Sequence, residues 1–156
     1  MDKYIHDVVR IGIIKEYRGE RPKTTKYNDF RVSLGWLDST DNLLNAEIML
    51  ENEIIRQHGY IAFQSPKKIA DALSYIWQEN DKWGAISQNM PIYYTGHNIK
   101  IMLNNIIFRR NKIVHEGDSV DATLPFCKQT IEEKDVEDVV SFVKDLVKAM
   151  HMCITI

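Results

Sequence analysis

Arg110, Asn111 and His115 fall inside one short run, Arg110-Asn111-Lys112-Ile113-Val114-His115. A guanidinium holds two oxygens of a phosphate at once and steadies the charge that builds on them. An imidazole takes or gives a proton near neutral pH. Together these types suit acid–base chemistry at a phosphate centre, with the Asn111 amide to orient one of the groups. Arg109 and Lys112 add two more cations beside Arg110 and Asn111. Glu116 and Asp118 follow the histidine closely enough to tune it.

The spacing around these residues predicts a helix from Asn98 to His115, with Gly117 at the position where a C-terminal glycine belongs. On that helix Ile99, Met102, Leu103, Ile106, Ile107, Ile113 and Val114 share one wide apolar face. Arg110 falls in the middle of it. A buried guanidinium is costly unless it is paired. Arg110 is therefore expected to snorkel to the bundle end, pair with a carboxylate or face another subunit. Asn104, Asn111 and His115 form a polar ridge on another side. Five residues place Arg110 and His115 about 140° apart on a straight helix. One shared pocket then requires the helix to unwind at His115, or two copies of the chain to build it.

Other elements must carry this helix. Residues 2–17 repeat apolar positions at 4/5, 8/9 and 12/13, a helical spacing. Residues 18–28 read as a polar loop. From Lys15 to Arg31 six basic residues stand against three acidic ones. That run reads as a solvated loop, with a phosphate-tracking strip as the alternative. Residues 30–37 fit a helix or a strand, and the helical context favours helix. Ser39, Thr40, Asp41 and Asn42 are N-cap types. They precede a helix carrying Leu43, Leu44, Ile48, Leu50, Ile54 and Ile55, stopped at Gly59. Ser65-Pro66 starts a further helix with Ile69, Ala70, Leu73, Ile76 and Trp77 on one face. Residues 79–91 read as a turn or short helix, and 118–129 as a loop. Thr130 and Glu133 form a capping box for a last helix that is expected to bury Val136, Val139, Val140, Val143, Leu146, Val147 and Met150. The expected class is all-α, with four to five main helices. Residues 1–40 read as an N-terminal helical extension packed on the same domain, and 41–156 as the main bundle.

Composition sets outer limits. A chain of 156 residues is one domain by length. Its 44% hydrophobic and 27% charged residues exclude disordered and supercharged classes. Twenty basic against 22 acidic residues give a net charge of −2. That excludes a strongly basic nucleic-acid binder but leaves room for one local basic site. Cys127 and Cys153 have no CxxC partner, so a zinc site is not expected. No clustered Asp, Glu and His set suggests another metal. The N-terminus lacks an apolar stretch of signal-peptide length, and no apolar run approaches the roughly 20 residues that cross a bilayer. A reduced, cytoplasmic protein is expected. Gly-rich phosphate loops, GxSxG and HExxH are absent.

The longer run Arg109-Arg110-Asn111-Lys112-Ile113-Val114-His115-Glu116-Gly117-Asp118 resembles the motif of the HEPN superfamily, in particular its RiboL-PSP type. That motif is an Arg, often followed by a polar residue, with a His after a spacing of four to six. Gly59-Tyr60-Ile61, Ser65-Pro66, Ile69-Ala70-Asp71-Ala72-Leu73 and Trp83 extend the likeness upstream, so that it covers roughly residues 41–154. Residues 1–38 carry no part of it. The resemblance implies a helical bundle that dimerises through the motif helix, bringing Arg and His of both subunits into one cleft. It implies metal-independent cleavage of RNA without a cofactor, with Arg110, His115 and Asn111 as the catalytic set and Arg109 and Lys112 as RNA-binding. It also implies an antitoxin or another defence-system protein as partner, and no membrane. The alternative within the same family is a non-catalytic module that binds a nucleotide or a partner protein.

Overall fold

The paired apolar positions 4/5, 8/9 and 12/13 wind Asp2–Tyr17 into α1, which buries Ile5, Val8, Val9 and Ile13. The computed structural model describes residues 1–38, 43–91, 94–116, 119–121, 124–128 and 130–154. After α1 come α2 (Thr25–Asn28), α3 (Leu34–Asp38), α4 (Leu43–His58), α5 (Pro66–Leu73), α6 (Lys82–Ser87) and α7 (Gly96–Glu116). Two strands follow, β1 (Ser119–Asp121) and β2 (Leu124–Lys128), and then α8 (Glu133–Ile154). The class is all-α, as the periodicity implies. The N-cap run Ser39–Asn42 lies outside the described residues, as do Gly117 and Asp118. Among the described residues no helix is long and apolar enough to cross a membrane.

Two compact units divide the chain. The first takes Met1–Phe63 and Lys67–Asn80, with Ile154; the second takes Gln64–Pro66 and Asp81–Cys153.

In the first unit α1 packs on α4. Ala46, Leu50, Ile54 and His58 are buried along α4 at four-residue spacing, one stripe of one face. Gly12 lets α1 close on Ile76, since a Cβ there would overlap the Ile76 side chain. At the rim the Arg18 fork donates to both oxygens of Glu47, at 2.8 and 2.6 Å, and Arg10 pairs with Glu51.

The stretch 18–28 is more ordered than a solvated loop. Thr24 caps α2, its hydroxyl accepting from the Tyr27 N–H at 3.1 Å. Glu16 is fully buried. Its carboxylate accepts the Thr24 N–H at 2.9 Å and lies 3.8 Å from Arg21 Nε. Burial pushes the Glu16 carboxyl above its usual range, opposed by these partners. Arg21 also donates to the Ile76 carbonyl at 2.5 Å. Arg18 and Arg21 are thus held by the fold, which removes both from the alternative reading of a phosphate-tracking strip.

In the second unit Asp81 caps α6, accepting the Gly84 N–H at 3.0 Å. Thr95 caps α7 in the same manner, accepting the Asn98 N–H at 3.2 Å. Gly96 seats the start of α7 against α6, where a Cβ would stand 2.8 Å from the Trp83 carbonyl carbon.

Two expectations need correction here. Residues 118–129 are not simply a loop. Ser119–Asp121 and Leu124–Lys128 pair antiparallel, with Ser119 opposite Lys128, Asp121 opposite Leu124 and a register shift between them. Pro125 is compatible with this ribbon because both strands are edges. The last helix also starts later than a cap at Thr130 requires. Its first bonds run from the Asp135 and Val136 N–H groups to the Glu132 carbonyl. The Thr130 carbonyl instead accepts from Arg109 Nη2 at 3.5 Å.

Candidate active site

Helix α7 carries the whole motif run, and it is helical through His115 to Glu116. Ile99 and Leu103, one turn apart, anchor its first half in the core. Beyond them the apolar face comes progressively into the open. Met102, Ile106 and Ile107 are half-buried, and Phe108, Ile113 and Val114 are exposed.

Helix α8 shows the same gradient in the opposite sense. Phe142, Leu146, Ala149 and Met150 are buried in its second half, with the Phe142 ring 5.5 Å from that of Tyr94. In its first half Val136 is 50% and Val140 45% exposed. This overturns the expectation that both are buried. Helical spacing identifies which side chains share a face, but the face outruns the elements available to cover it.

Between the open halves of the two helices lies an apolar cleft of about 470 Å³. Ile106, Ile113, Ile131, Val136 and Val140 line it, together with Arg109 and Arg110. Asp135 and Asp138 stand in the same lining.

Arg110 does not lie in a dry stripe. It is exposed, and its Nη1 donates to Gln64 Oε1 at 2.8 Å. The apolar residues at its level on α7 are themselves uncovered, so no burial cost arises within one chain. Arg109 is half-buried and holds the Thr130 carbonyl. Lys112 is half-buried, and Asn111 and His115 are exposed. The Glu116 side chain and Asp118 lie outside what the structure describes.

Helix geometry separates the two principal groups. Each residue adds about 100° and about 1.5 Å, so Arg110 and His115 leave the axis about 140° and about 7.5 Å apart. Arg110 faces the cleft and His115 does not line it. The helix does not unwind at His115. Of the two routes to a shared pocket, a second copy of the chain remains.

Gln64 was not visible as a site residue in the sequence. It stands 46 positions from Arg110, just ahead of the Ser65-Pro66 helix start. No spacing rule links residues so far apart.

A family model, RiboL-PSP-HEPN, matches residues 1–155. The match takes in the first 38 residues, which the motif likeness did not reach. No curated protein and no solved structure gives a match.

Proposed function

Because the chain belongs to the RiboL-PSP-HEPN family, we propose that it is a metal-independent endoribonuclease whose site forms between two copies. The observation that carries this reading is the motif on an uninterrupted α7, beside an exposed apolar strip on α7 and α8. Exposed apolar patches of this kind mark interaction surfaces. In this reading a two-fold pairing along the open half of α7 brings Arg110 of one chain and His115 of the other to one phosphate.

In that cleft His115 moves the proton, taking it from the ribose 2′-hydroxyl or giving one to the departing 5′-oxygen. The 2′-oxygen bonds to the adjacent phosphorus, and the bond to the 5′-oxygen breaks. Arg110 holds the phosphorane oxygens as their charge grows. Asn111 orients the phosphate or the imidazole. Arg109 and Lys112 bind flanking phosphates, and Glu116 and Asp118 tune His115. The products are a 2′,3′-cyclic phosphate and a 5′-hydroxyl.

In the cell the reading is of a toxin or antiviral defence component in the cytoplasm, restrained by an antitoxin or another protein of the same system. The alternative is a non-catalytic module that binds a nucleotide or a partner. Asp135 and Asp138 favour it, because carboxylates in the Arg110 cleft repel a phosphodiester. Incubation with single-stranded RNA in excess EDTA decides between them. Cyclic-phosphate ends from the wild type and none from His115→Ala support the enzyme. RNA left intact by the wild type, with a partner or nucleotide bound, supports the module.

A further inference from the structure

The first unit contains a second cavity of about 450 Å³, between the end of α4, the 60–63 segment, α2 and α5. Its walls are aromatic. Tyr75, Phe63 and His58 form a cluster, with the His58 ring centroid 5.3 Å from that of Tyr75 and 5.9 Å from that of Phe63. Tyr60 stands at the mouth, 94% exposed. Flat walls of this type stack on planar ligands.

The charges in the lining favour an anion. Among the described residues it carries Lys26 and Lys68 against one acid, Asp71. Lys26 Nζ sits 4.5 Å from the Tyr75 ring centroid and donates to the Asp71 carbonyl at 2.6 Å. An ammonium has three donors, so two remain beside the ring face. Lys26 belongs to the basic stretch that the sequence singled out. Unlike Arg18 and Arg21, it is not paired with a carboxylate among the described residues.

His58 stiffens the wall: it is 5% exposed, and its ring packs against those of Tyr75 and Phe63.

We infer that this cavity binds a planar aromatic anion, namely a nucleotide, taken free or as one residue of a single-stranded RNA. The ring stacks on Tyr60, and the phosphate meets Lys68 and the Lys26 ammonium that sits over Tyr75. The volume falls in the ordinary range for small-ligand pockets, roughly 300–1,000 Å³. No residue that lines this cavity lines the cleft of α7 and α8, and binding here does not depend on cleavage there.

The test is calorimetric titration of the full chain with AMP, with a 2′-O-methyl hexanucleotide that cannot be cut, and with inorganic phosphate. Saturable AMP binding supports a free nucleotide as the source. Binding of the hexanucleotide alone supports RNA. In either case Lys26→Ala and Lys68→Ala each weaken binding about ten-fold, the worth of one charge-assisted contact. Lys68 is exposed on α5, so its replacement remains informative even if Lys26→Ala disturbs Tyr75. Three outcomes overturn the inference: no binding of either nucleotide probe, affinity unchanged in both folded lysine variants, or phosphate binding as tightly as AMP. A chain that binds AMP and cuts no RNA keeps this site and loses the proposed cleavage.

Discussion

Arg110 and His115 stand on the same uninterrupted helix, α7 from Gly96 to Glu116, yet their side chains diverge by about 140°. Arg110 lines the cleft toward α8, while His115 lies on the polar ridge with Asn111. Under the proposed cleavage, the guanidinium and the imidazole that act on one phosphate come from different chains.

Mixing variants checks this arrangement. Alone, His115→Ala should lose about 100- to 10,000-fold in RNA cleavage, the usual worth of an acid–base group. Arg110→Ala alone should lose about 100- to 1,000-fold. Random pairing of the two variants leaves one site in every mixed dimer with both native groups. About a quarter of wild-type activity should then return. No return on mixing rejects sites shared between chains. EDTA should change none of these rates.

The open strip should control assembly. Val136→Asp and Val140→Asp each place a carboxylate on the exposed half of α8, ahead of the buried Phe142 and Leu146. Helix content and melting temperature should stay close to wild type, as exposed sites usually change stability by less than about 0.5 kcal/mol. Sedimentation should shift from dimer to monomer, and cleavage should be lost with it. A dimer that survives both changes uses another surface.

His58 should make the fold sensitive to acid. Burial, with the nearby His6 and Lys26 charges, lowers its pKa from 6.5 to about 4. Below about pH 6.5 the unfolded chain takes a proton that the folded chain refuses until about pH 4. Stability from this group is therefore full above pH 6.5 and falls as pH drops toward 4, by up to about 3 kcal/mol. Glu16 acts in the opposite sense, since its pKa is raised and it favours the fold most at low pH. The difference between wild type and His58→Phe isolates the histidine. Urea titrations at pH 5 and pH 7.5 should show the wild type losing more than the variant. Equal losses would exclude a buried neutral imidazole.

Gly12 is a packing requirement. Alanine there meets Ile76, and overpacking of this kind costs about 1–3 kcal/mol. Better helix propensity returns at most about 1 kcal/mol. The melting temperature of Gly12→Ala should fall, and Ile76→Ala in the same chain should recover part of the packing strain. A rise in melting temperature for Gly12→Ala alone would refute the close approach.

The sequence carried α7 well. Its expected span, Asn98 to His115, lies within Gly96–Glu116, because Ile99 and Leu103 mark the buried turn and the run to His115 has no breaker. The motif residues were legible for the same reason. The surroundings of Arg110 were not. Gln64 reaches it through tertiary packing alone, and the exposure of Val136 and Val140 depends on what covers a face rather than on its period. Residues 118–129 read as a loop, yet Leu124–Lys128, with Pro125 inside it, is a strand of a two-stranded ribbon that has no interior to break. His58 closes the Ala46, Leu50, Ile54 stripe, but one histidine at a helix end does not disclose the aromatic neighbours that three other segments bring to it.

The continuity of α7 through His115 also bears on dose. An enzyme with a self-contained site works in proportion to the amount present. A site divided between two chains works in proportion to the square of that amount while the chains are mostly apart. A tenfold rise in expression then yields about a hundredfold rise in cutting. Under the proposed two-chain site, a partner that covers one strip would remove a whole pair of sites, and activity would rise from nearly silent to full over a narrow range of synthesis.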